Sequence, residues 1–332
     1  MNTNPQNHPK QAIGKVVTSG QGQTSIEKDP SSDGHIQSCT QHQTGDIGDK
    51  AVTRTTLLTE TRVVEEWVSS CFMNSLCPTI DDRAWTCSHK TLTLLDRKGQ
   101  EKHEVDHKTW INDISLSHTT HRPWACDSDN NILELVSGQL IQRFRTKEVP
   151  ECICVTSSDH VLVGMSRHIS KYTLQGQVVL TTEATRTEKP LVYTPRKITE
   201  CPVTNNVAVI DDRSEDHGGD GNRRVIAMDT NFQELFVYRG EIPSSYKQTL
   251  RTVDNPFYPR SIVYDSQGNI IIADRNTPML LLLSGRSEVL RILHTYTESV
   301  WLVGIDRHDI VWSEFGNKYP HKVKLLQYSD NT

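Results

Sequence analysis

The chain has 332 residues, with 36 Lys or Arg against 41 Asp or Glu and a formal net charge of −5. Aromatic residues make up 6% and hydrophobic residues 35%, which is low for a chain that folds along its whole length. An acidic chain is not expected to bind DNA, and no apolar run is long enough to span a membrane.

The apolar deficit lies at the start of the chain. Residues 1–56 contain no Phe, Tyr or Trp and are rich in Asn, Gln, Ser, Thr, Gly and Asp. Such a segment buries too little apolar surface to offset chain entropy, so we predict a disordered tail over 1–56. Its five basic and five acidic residues cancel, so the net charge of −5 belongs to 57–332.

Targeting signals and cysteine spacing both favour a reducing compartment. The first residues lack a basic region followed by an apolar core, so we expect no secretion signal. None of the cysteines forms a Cys-x-x-Cys pair. They are Cys39, Cys71, Cys77, Cys87, Cys126, Cys152, Cys154 and Cys201. We expect a cytoplasmic protein without a cofactor or a bound metal.

The first predicted element is a strand within residues 57–68 (LLTETRVVEEWV), and a strand-turn-strand pattern then recurs. Residues 127–138 (DSDNNILELVSG) align without a gap with residues 274–285 (DRNTPMLLLLSG). The clearest copy, 259–293, has four apolar runs separated by turn residues, which predicts a four-stranded antiparallel meander. The second strands of six copies end at Cys87, Asp127, Met165, Asp211, Asp274 and Glu314.

The repeat length indicates the fold class. Most copies are about 40 residues apart, and four strands in a repeat of that length are typical of a β-propeller. We therefore predict an all-β, six-bladed propeller over 57–332; a sandwich of irregular hairpins and a solenoid are the alternatives. Predicted blades one to five cover 70–106, 110–146, 149–182, 196–238 and 259–293.

The ring of a propeller must close. The last repeat supplies three strands, 300–306, 309–314 and 322–328, and then the chain stops. We predict that residues 61–67 form its outer strand, which removes the unpaired edges of an open ring. Two insertions, 211–222 and 239–258, enlarge loops that emerge on one face of a propeller, where partners commonly bind.

At these residues the chain resembles a known family. The segment VYDSQGNIIIADRN (263–276) resembles the NHL-type repeat, in which D-x-x-G-x-hydrophobic leads to Ala-Asp. More of the chain is similar to the C-terminal region of invertebrate tripartite-motif (TRIM-NHL-like) proteins, over about 57–332. The segments that carry this likeness are 167–176 (RHISKYTLQG), 198–211 (ITECPVTNNVAVID), 228–243 (MDTNFQELFVYRGEIP) and 303–312 (VGIDRHDIVW).

The resemblance implies a role in target recognition. Members of that family carry a RING finger, B-box zinc fingers and a coiled coil, and they act as ubiquitin ligases that recruit targets through the propeller. This sequence shows no Cys/His array and no heptad run before Leu57, so ligase activity is not expected of it. The family's Asn-x-Arg after Ala-Asp is also replaced, at Thr277-Pro278-Met279.

The sequence gives little support for a catalytic function. Asp127, Asp211, Asp274 and Glu314 end equivalent strands, and a ring of carboxylates would suit calcium, as in some propeller hydrolases. We favour Asp side chains that cap turns, because the other two positions are Cys87 and Met165. The acidic loop 211–222 lacks an EF-hand pattern and is interpreted as a solvated, flexible insertion. The sequence contains no nucleophile motif and no glycine-rich phosphate loop.

The predicted interaction face lies on one side of the disc. We expect Trp110 to be exposed there, and a positive patch for single-stranded RNA is an alternative to a rim of mixed charge. The residues predicted on this face are Lys90, Trp110, Asp127, Arg167, His168, Arg213, Arg275, Lys318 and Tyr319. We predict a monomeric, non-catalytic scaffold that docks a protein; single-stranded RNA binding is the alternative, and a calcium-dependent hydrolase ranks third.

Overall fold

A computed structural model describes residues 55–182, 189–247, 256–295 and 297–331. These residues form six four-stranded antiparallel sheets, which confirms the predicted six-bladed β-propeller. Their longest helix is α1 (Ser244–Lys247), and within the described ranges no helix has the length and apolar character to cross a membrane. Apart from Thr55 and Thr56, the tail predicted over 1–56 lies outside the described residues.

The strands follow one another blade by blade. The first element of the described residues is β1 (Thr55–Val68). Blade 1 contains β2 (Ser75–Pro78), β3 (Arg83–Ser88), β4 (Thr91–Asp96) and β5 (Glu101–Asp106). Blade 2 contains β6 (Ile111–Leu116), β7 (Pro123–Asp127), β8 (Asn131–Val136) and β9 (Gln139–Arg145). Blade 3 contains β10 (Cys152–Val155), β11 (His160–Met165), β12 (His168–Thr173) and β13 (Val178–Thr181).

The second half of the ring repeats this pattern. Blade 4 contains β14 (Pro195–Glu200), β15 (Val207–Asp211), β16 (Arg224–Met228) and β17 (Glu234–Tyr238). Blade 5 contains β18 (Pro259–Tyr264), β19 (Ile270–Asp274), β20 (Met279–Leu283) and β21 (Val289–Thr295). Blade 6 contains β22 (Val300–Ile305), β23 (Ile310–Phe315) and β24 (Lys322–Asn331), and its fourth strand is β1.

The hydrophobic core lies between the blades. Every residue of β19 and β20 is buried, because each face of this sheet packs against a neighbouring blade. Ile270 and Ile272 pack with Ile210 of blade 4, whereas Ile271 packs with Val311 of blade 6. Six such clusters alternate with the six blades among the described residues. A single blade therefore has no core of its own.

Ring closure follows the prediction for 61–67. In blade 6, β1 pairs antiparallel with β24, and Trp67 lies opposite Val323. The Trp67 indole also covers Gly99, in the turn between β4 and β5 of blade 1, where a Cβ would overlap the ring. Phe144 of blade 2 covers Gly176 of blade 3 in the same way. β1 therefore packs against blade 1 in the same way as β9, the outer strand of blade 2, packs against blade 3.

The two faces of the disc differ in their loops. The upper face carries the loops between the second and third strands of each blade and the loops that connect successive blades. The lower face carries the other two sets of turns. A cavity of about 370 Å³ opens among the lower turns and is lined by the ends of the innermost strands. Lys197 crosses the axis above it and bonds to Ser75 Oγ of blade 1 at 2.7 Å.

Four innermost strands begin with an irregularity. The pairing of the first and second strands skips Asn112 in blade 2, Arg196 in blade 4, Arg260 in blade 5 and Trp301 in blade 6. A β-bulge of this kind re-aims one side chain and is common beside binding sites. Each skipped residue is the second residue of an innermost strand, so it lies at the upper end of that strand, around the mouth of the channel.

Candidate interaction face

Aromatic rings from three blades form a chain on the upper face. Trp110 contacts His89 at 4.6 Å between ring centroids, and His89 lies 6.2 Å from Phe72. Phe72 lies 6.0 Å from His321, which stacks on Trp301 at 5.7 Å and 16°. We call these five residues the aromatic arc. It runs from the start of blade 2 through blade 1 to blade 6.

Much of this arc is open to solvent. The exposed fraction is 51% for Trp110 and 39% for Phe72, and neighbouring Tyr319 is 53% exposed. Tyr319 is held in place because its hydroxyl donates to the Ser70 carbonyl at 2.7 Å. Large aromatic side chains exposed together on one face are unusual for a surface without a binding role.

A second group of side chains continues the arc into blades 5 and 4. The Arg275 guanidinium lies 4.3 Å from the Trp301 ring centroid and 5.5 Å from that of Tyr258. The Arg223 guanidinium also lies over the Tyr258 ring, 3.0 Å from its centroid. The Arg260 guanidinium lies 5.5 Å from the Trp301 ring centroid. Guanidinium groups and rings therefore alternate from blade 6 to blade 4.

We call Arg196, Arg223, Arg260 and Arg275 the arginine cluster. Arg196 pairs with Glu151 at 2.8 Å and with Asp212 at 3.3 Å, and Arg223 also pairs with Asp212. Desolvation and the charges of the other three arginines hold the pKa of Arg260 below its ordinary value, although Tyr258 opposes this. Four guanidinium groups therefore share one electrostatic environment.

All nine residues predicted for the interaction face lie on the upper face, but they differ in exposure. Lys90, Trp110, Arg167, Lys318 and Tyr319 are exposed, and His168, Arg213 and Arg275 are half-buried. Asp127 is fully buried and hydrogen-bonded. Its inclusion as a partner-contacting residue was wrong, because no part of its carboxylate reaches the surface.

The predicted basic residues do not gather into one patch. Lys90, Arg167 and Arg275 belong to blades 1, 3 and 5, which are not neighbours in the ring. Arg213 is paired with Asp220 at 2.9 Å, and Arg167 donates to the His217 carbonyl at 3.2 Å. The preferred prediction, a rim of mixed charge, agrees with these pairings.

The strand-end carboxylates hold loops and do not converge. Asp127 accepts from the amides of Asp129 and Asn131 in the turn that follows it. Asp274 likewise accepts from the Asn276 amide at 3.2 Å and from the Tyr258 amide at 3.0 Å. Within the described ranges no three His, Cys, Asp or Glu side chains are grouped to bind a metal. The turn-capping interpretation agrees with this geometry.

Asp211 and Asp127 also tie blades 4 and 2 to the connecting loops that precede them. Asp211 accepts from the amides of Tyr193 and Thr194 at 2.9 Å, and Asp127 contacts His107 Nε2 at 2.9 Å. Burial alone would raise the pKa of Asp127, but hydrogen bonds from His107 and its other partners outweigh it and lower that pKa. These carboxylates therefore position the loops of the interaction face.

Hydrogen bonds to blade 3 and to the loop before blade 4 hold the insertion 211–222. It contains a 3-10 helix, Glu215–His217, and His217 Nδ1 lies 2.9 Å from the Thr194 hydroxyl. The contact between Arg167 and the His217 carbonyl ties it to blade 3. Half of its residues are exposed, which agrees with the expectation of a solvated insertion, and these contacts hold it at two points. Its flexibility stays a prediction.

The sequence reasoning missed most of the arc and of the arginine cluster. One signal was present: the pattern Pro-Arg-x-Ile occurs at 195–198 and again at 259–262, at the start of an innermost strand in each case. Arg196 and Arg260 occupy its second position. A repeated charged residue at the start of a buried strand indicates that the side chain turns outward there.

Comparison with known proteins identifies the fold of this chain but assigns it to no family. No protein-family model and no curated protein matches this chain. The structure is similar to Kuenenia stuttgartiensis hydrazine synthase, with a TM-score of 0.56, 14% identity and coverage of 77% of this chain and 76% of that chain. It is also similar to the WD40 β-propeller domain of Doa1, with a TM-score of 0.53, 9% identity and coverage of 81% and 98% respectively. At such low identity the likeness shows a β-propeller and nothing finer.

Proposed function

We propose that this chain is a non-catalytic scaffold that docks a protein partner on its upper face, across the aromatic arc and the arginine cluster. The observation that carries the proposal is the run of contacts from Trp110 to Trp301 and on to Arg275. Trp, Tyr and Arg dominate binding energy at protein interfaces, and here they are clustered and solvent-accessible.

The sequence resemblance supports a finer version of this proposal. A TRIM-NHL-like propeller recruits targets, so the chain would act in the ubiquitin pathway by binding a target and not by transferring ubiquitin. A cytoplasmic, monomeric protein suits that role. A partner held here would be presented to a ligase or withheld from one.

Single-stranded RNA is the second candidate. The alternation of Arg223, Tyr258, Arg275 and Trp301 resembles the stacking surfaces on which unpaired bases bind. Protein remains the preferred partner because residues 57–332 carry a net charge of −5, which disfavours a polyanion.

A pull-down from lysate tests the proposal, with and without nuclease. The bait is the wild-type chain, the double variant Trp110→Ala/Phe72→Ala, or the control Ile80→Ala. Ile80 is 45% exposed in a turn on the lower face. We expect nuclease-resistant partners that the double variant loses and the control keeps. Loss of every partner on nuclease treatment would contradict protein docking, as would full retention by the double variant.

A further inference from the structure

The arginine cluster carries more positive charge than its neighbours balance. Arg196 and Arg223 share Asp212, and Arg196 also reaches Glu151. Among the residues that the structure describes, neither Arg260 nor Arg275 has a carboxylate within ion-pair distance; each lies against the Trp301 ring. Two guanidinium groups at the channel mouth therefore have no ion-pair partner in the described part of the chain.

Glu314 lies near enough to Arg260 to interact with it electrostatically, but it is paired with another residue. Glu314 interacts with Arg260 electrostatically, but its side chain is buried and its Oε1 contacts His321 Nδ1 at 3.0 Å. Burial raises the pKa of Glu314, although His321 and the charge of Arg260 oppose this increase.

Both unbalanced arginines are fixed in position. The bulge between Pro259 and Ser261 places Arg260, and the rings of Tyr258 and Trp301 contact Arg275. Like charges held close together raise the free energy of the unbound protein. The guanidinium groups of Arg260 and Arg275 are planar donors in fixed positions and are suited to bind an anion. A bound anion would offset the repulsion between them.

We propose that the arginine cluster binds a phosphate monoester on a side chain of the docked protein, with Arg260 and Arg275 as its main ligands. This inference rests on the proposed function, since it needs a polypeptide on the upper face. The aromatic arc begins at Trp301, so residues that flank the phosphorylated side chain would pack along it.

The number and arrangement of charges favour this ligand over two others. A phosphate monoester carries a charge of about −1.5 to −2 and three acceptor oxygens, enough for two guanidinium groups, whereas one carboxylate balances only one. An RNA strand needs positive charge along its whole path on the protein. Beyond the cluster on the upper face, however, Arg213 is paired with Asp220, and Arg167 donates to the His217 carbonyl. The cluster is compact and suits one doubly charged group.

Titration of the full chain with a short phosphoserine peptide tests the inference. The probes are Ala-Gly-phosphoserine-Gly-Ala, its Ser and Glu counterparts, inorganic phosphate and a single-stranded oligonucleotide, each followed through the indole N–H resonance of Trp301. We expect saturable binding of the phosphopeptide, weakened about tenfold by Arg260→Met or Arg275→Met. The control Arg286→Met, in a turn on the lower face of blade 5, should bind like wild type.

Several outcomes would overturn the inference. Equal binding of the Glu peptide would show that no phosphate is needed, and equal binding of inorganic phosphate would show that the polypeptide contributes nothing. Tighter binding of the oligonucleotide would favour RNA, and unchanged binding by both Met variants would place the site elsewhere. No saturable shift of Trp301 with the phosphopeptide would also refute it.

Failure of this inference can be told apart from failure of the proposed function. If phosphatase treatment and Arg260→Met/Arg275→Met both leave captured partners in place, while Trp110→Ala/Phe72→Ala loses them, docking stands without the phosphate. If the Trp110→Ala/Phe72→Ala variant also keeps every partner, the docking proposal itself fails.

Discussion

Lys197 and Ser75 meet across the axis of the ring, although they belong to blades 4 and 1, which lie opposite each other. The Lys197 ammonium donates to Ser75 Oγ at 2.7 Å and also pairs with Asp113 of blade 2. Asp113 in turn accepts from the Ile153 amide of blade 3 at 3.1 Å. One buried polar network, formed by Lys197, Ser75 and Asp113, thus joins four blades.

Lys197→Met is expected to destabilise the fold by about 3–5 kcal/mol, because it leaves the buried Asp113 carboxylate without its counter-charge. The free energy of unfolding in urea measures this effect. The double variant Lys197→Met/Asp113→Asn should recover most of the loss, since Asn still accepts from the Ile153 amide. A single variant as stable as wild type would show that the ion pair contributes nothing.

A surface ion pair provides the contrast. Lys322 lies 3.2 Å from Glu66 where β1 pairs with β24, and both side chains are largely exposed. Lys324 and, to a smaller extent, Lys322 lower the pKa of Glu66, but solvent screens the exposed pair with Lys322. Lys322→Met should cost less than about 1 kcal/mol in the same measurement, because Glu66 keeps its contact with Lys324 at 3.0 Å. A loss as large as that of Lys197→Met would contradict this.

Gly99→Ala tests ring closure. Gly99 has φ +75°, and a Cβ there would overlap the Trp67 indole. Gly138 is the matched control, because its φ is +79° but its Cβ would approach only His103 Nε2, at 3.8 Å. We expect Gly99→Ala to lower the unfolding free energy by about 1–3 kcal/mol more than Gly138→Ala does. Equal losses would mean that only backbone strain matters at these positions.

Asp127→Asn should flatten the acid limb of the stability profile. The hydrogen bonds to Asp127 lower its pKa in the folded state, so its contribution is present above the unfolded pKa of about 3.9. That contribution is lost as the pH falls through the lower folded pKa. Between pH 5 and pH 2, wild type should lose more unfolding free energy than the variant. Parallel curves would contradict this assignment.

Glu314→Gln should have the opposite pH dependence. Burial raises the pKa of Glu314 in the folded state, and its Oε2 is buried without a hydrogen-bond partner among the described residues. The cost of its charge therefore appears as the pH rises above the unfolded pKa of about 4.3. The stability of the variant relative to wild type should increase between pH 4 and pH 7. A constant difference would refute this.

Local pattern was sufficient for the blades. The alternation of apolar runs with turn residues defines each meander, and the missing fourth strand of the last repeat predicted that residues 61–67 pair with β24. The exposure of Trp110 was also expected, because it lies in a loop between two blades. These features depend on neighbours in the chain or on the need to pair every strand edge.

Contacts between residues far apart in the sequence could not be predicted from local pattern. The Tyr319 hydroxyl bonds to Ser70, and Lys197 to Ser75, over very long separations in the sequence. Which loops meet depends on the angle between successive blades and on the bulge that turns Arg260 outward. Neither quantity is set by hydrophobic periodicity, so the arc and the arginine cluster became visible only in three dimensions.

The pairing of Thr55 with Asn331 has a practical consequence. Both ends of the described ring leave it side by side, at the lower edge of blade 6. A fluorescent label or affinity tag joined directly to residue 331, or to residue 55 in a chain shortened to the ring, would therefore leave on the face opposite the aromatic side chains. A short linker would also join 331 to 55, so that the chain could be opened at another blade without cutting a strand.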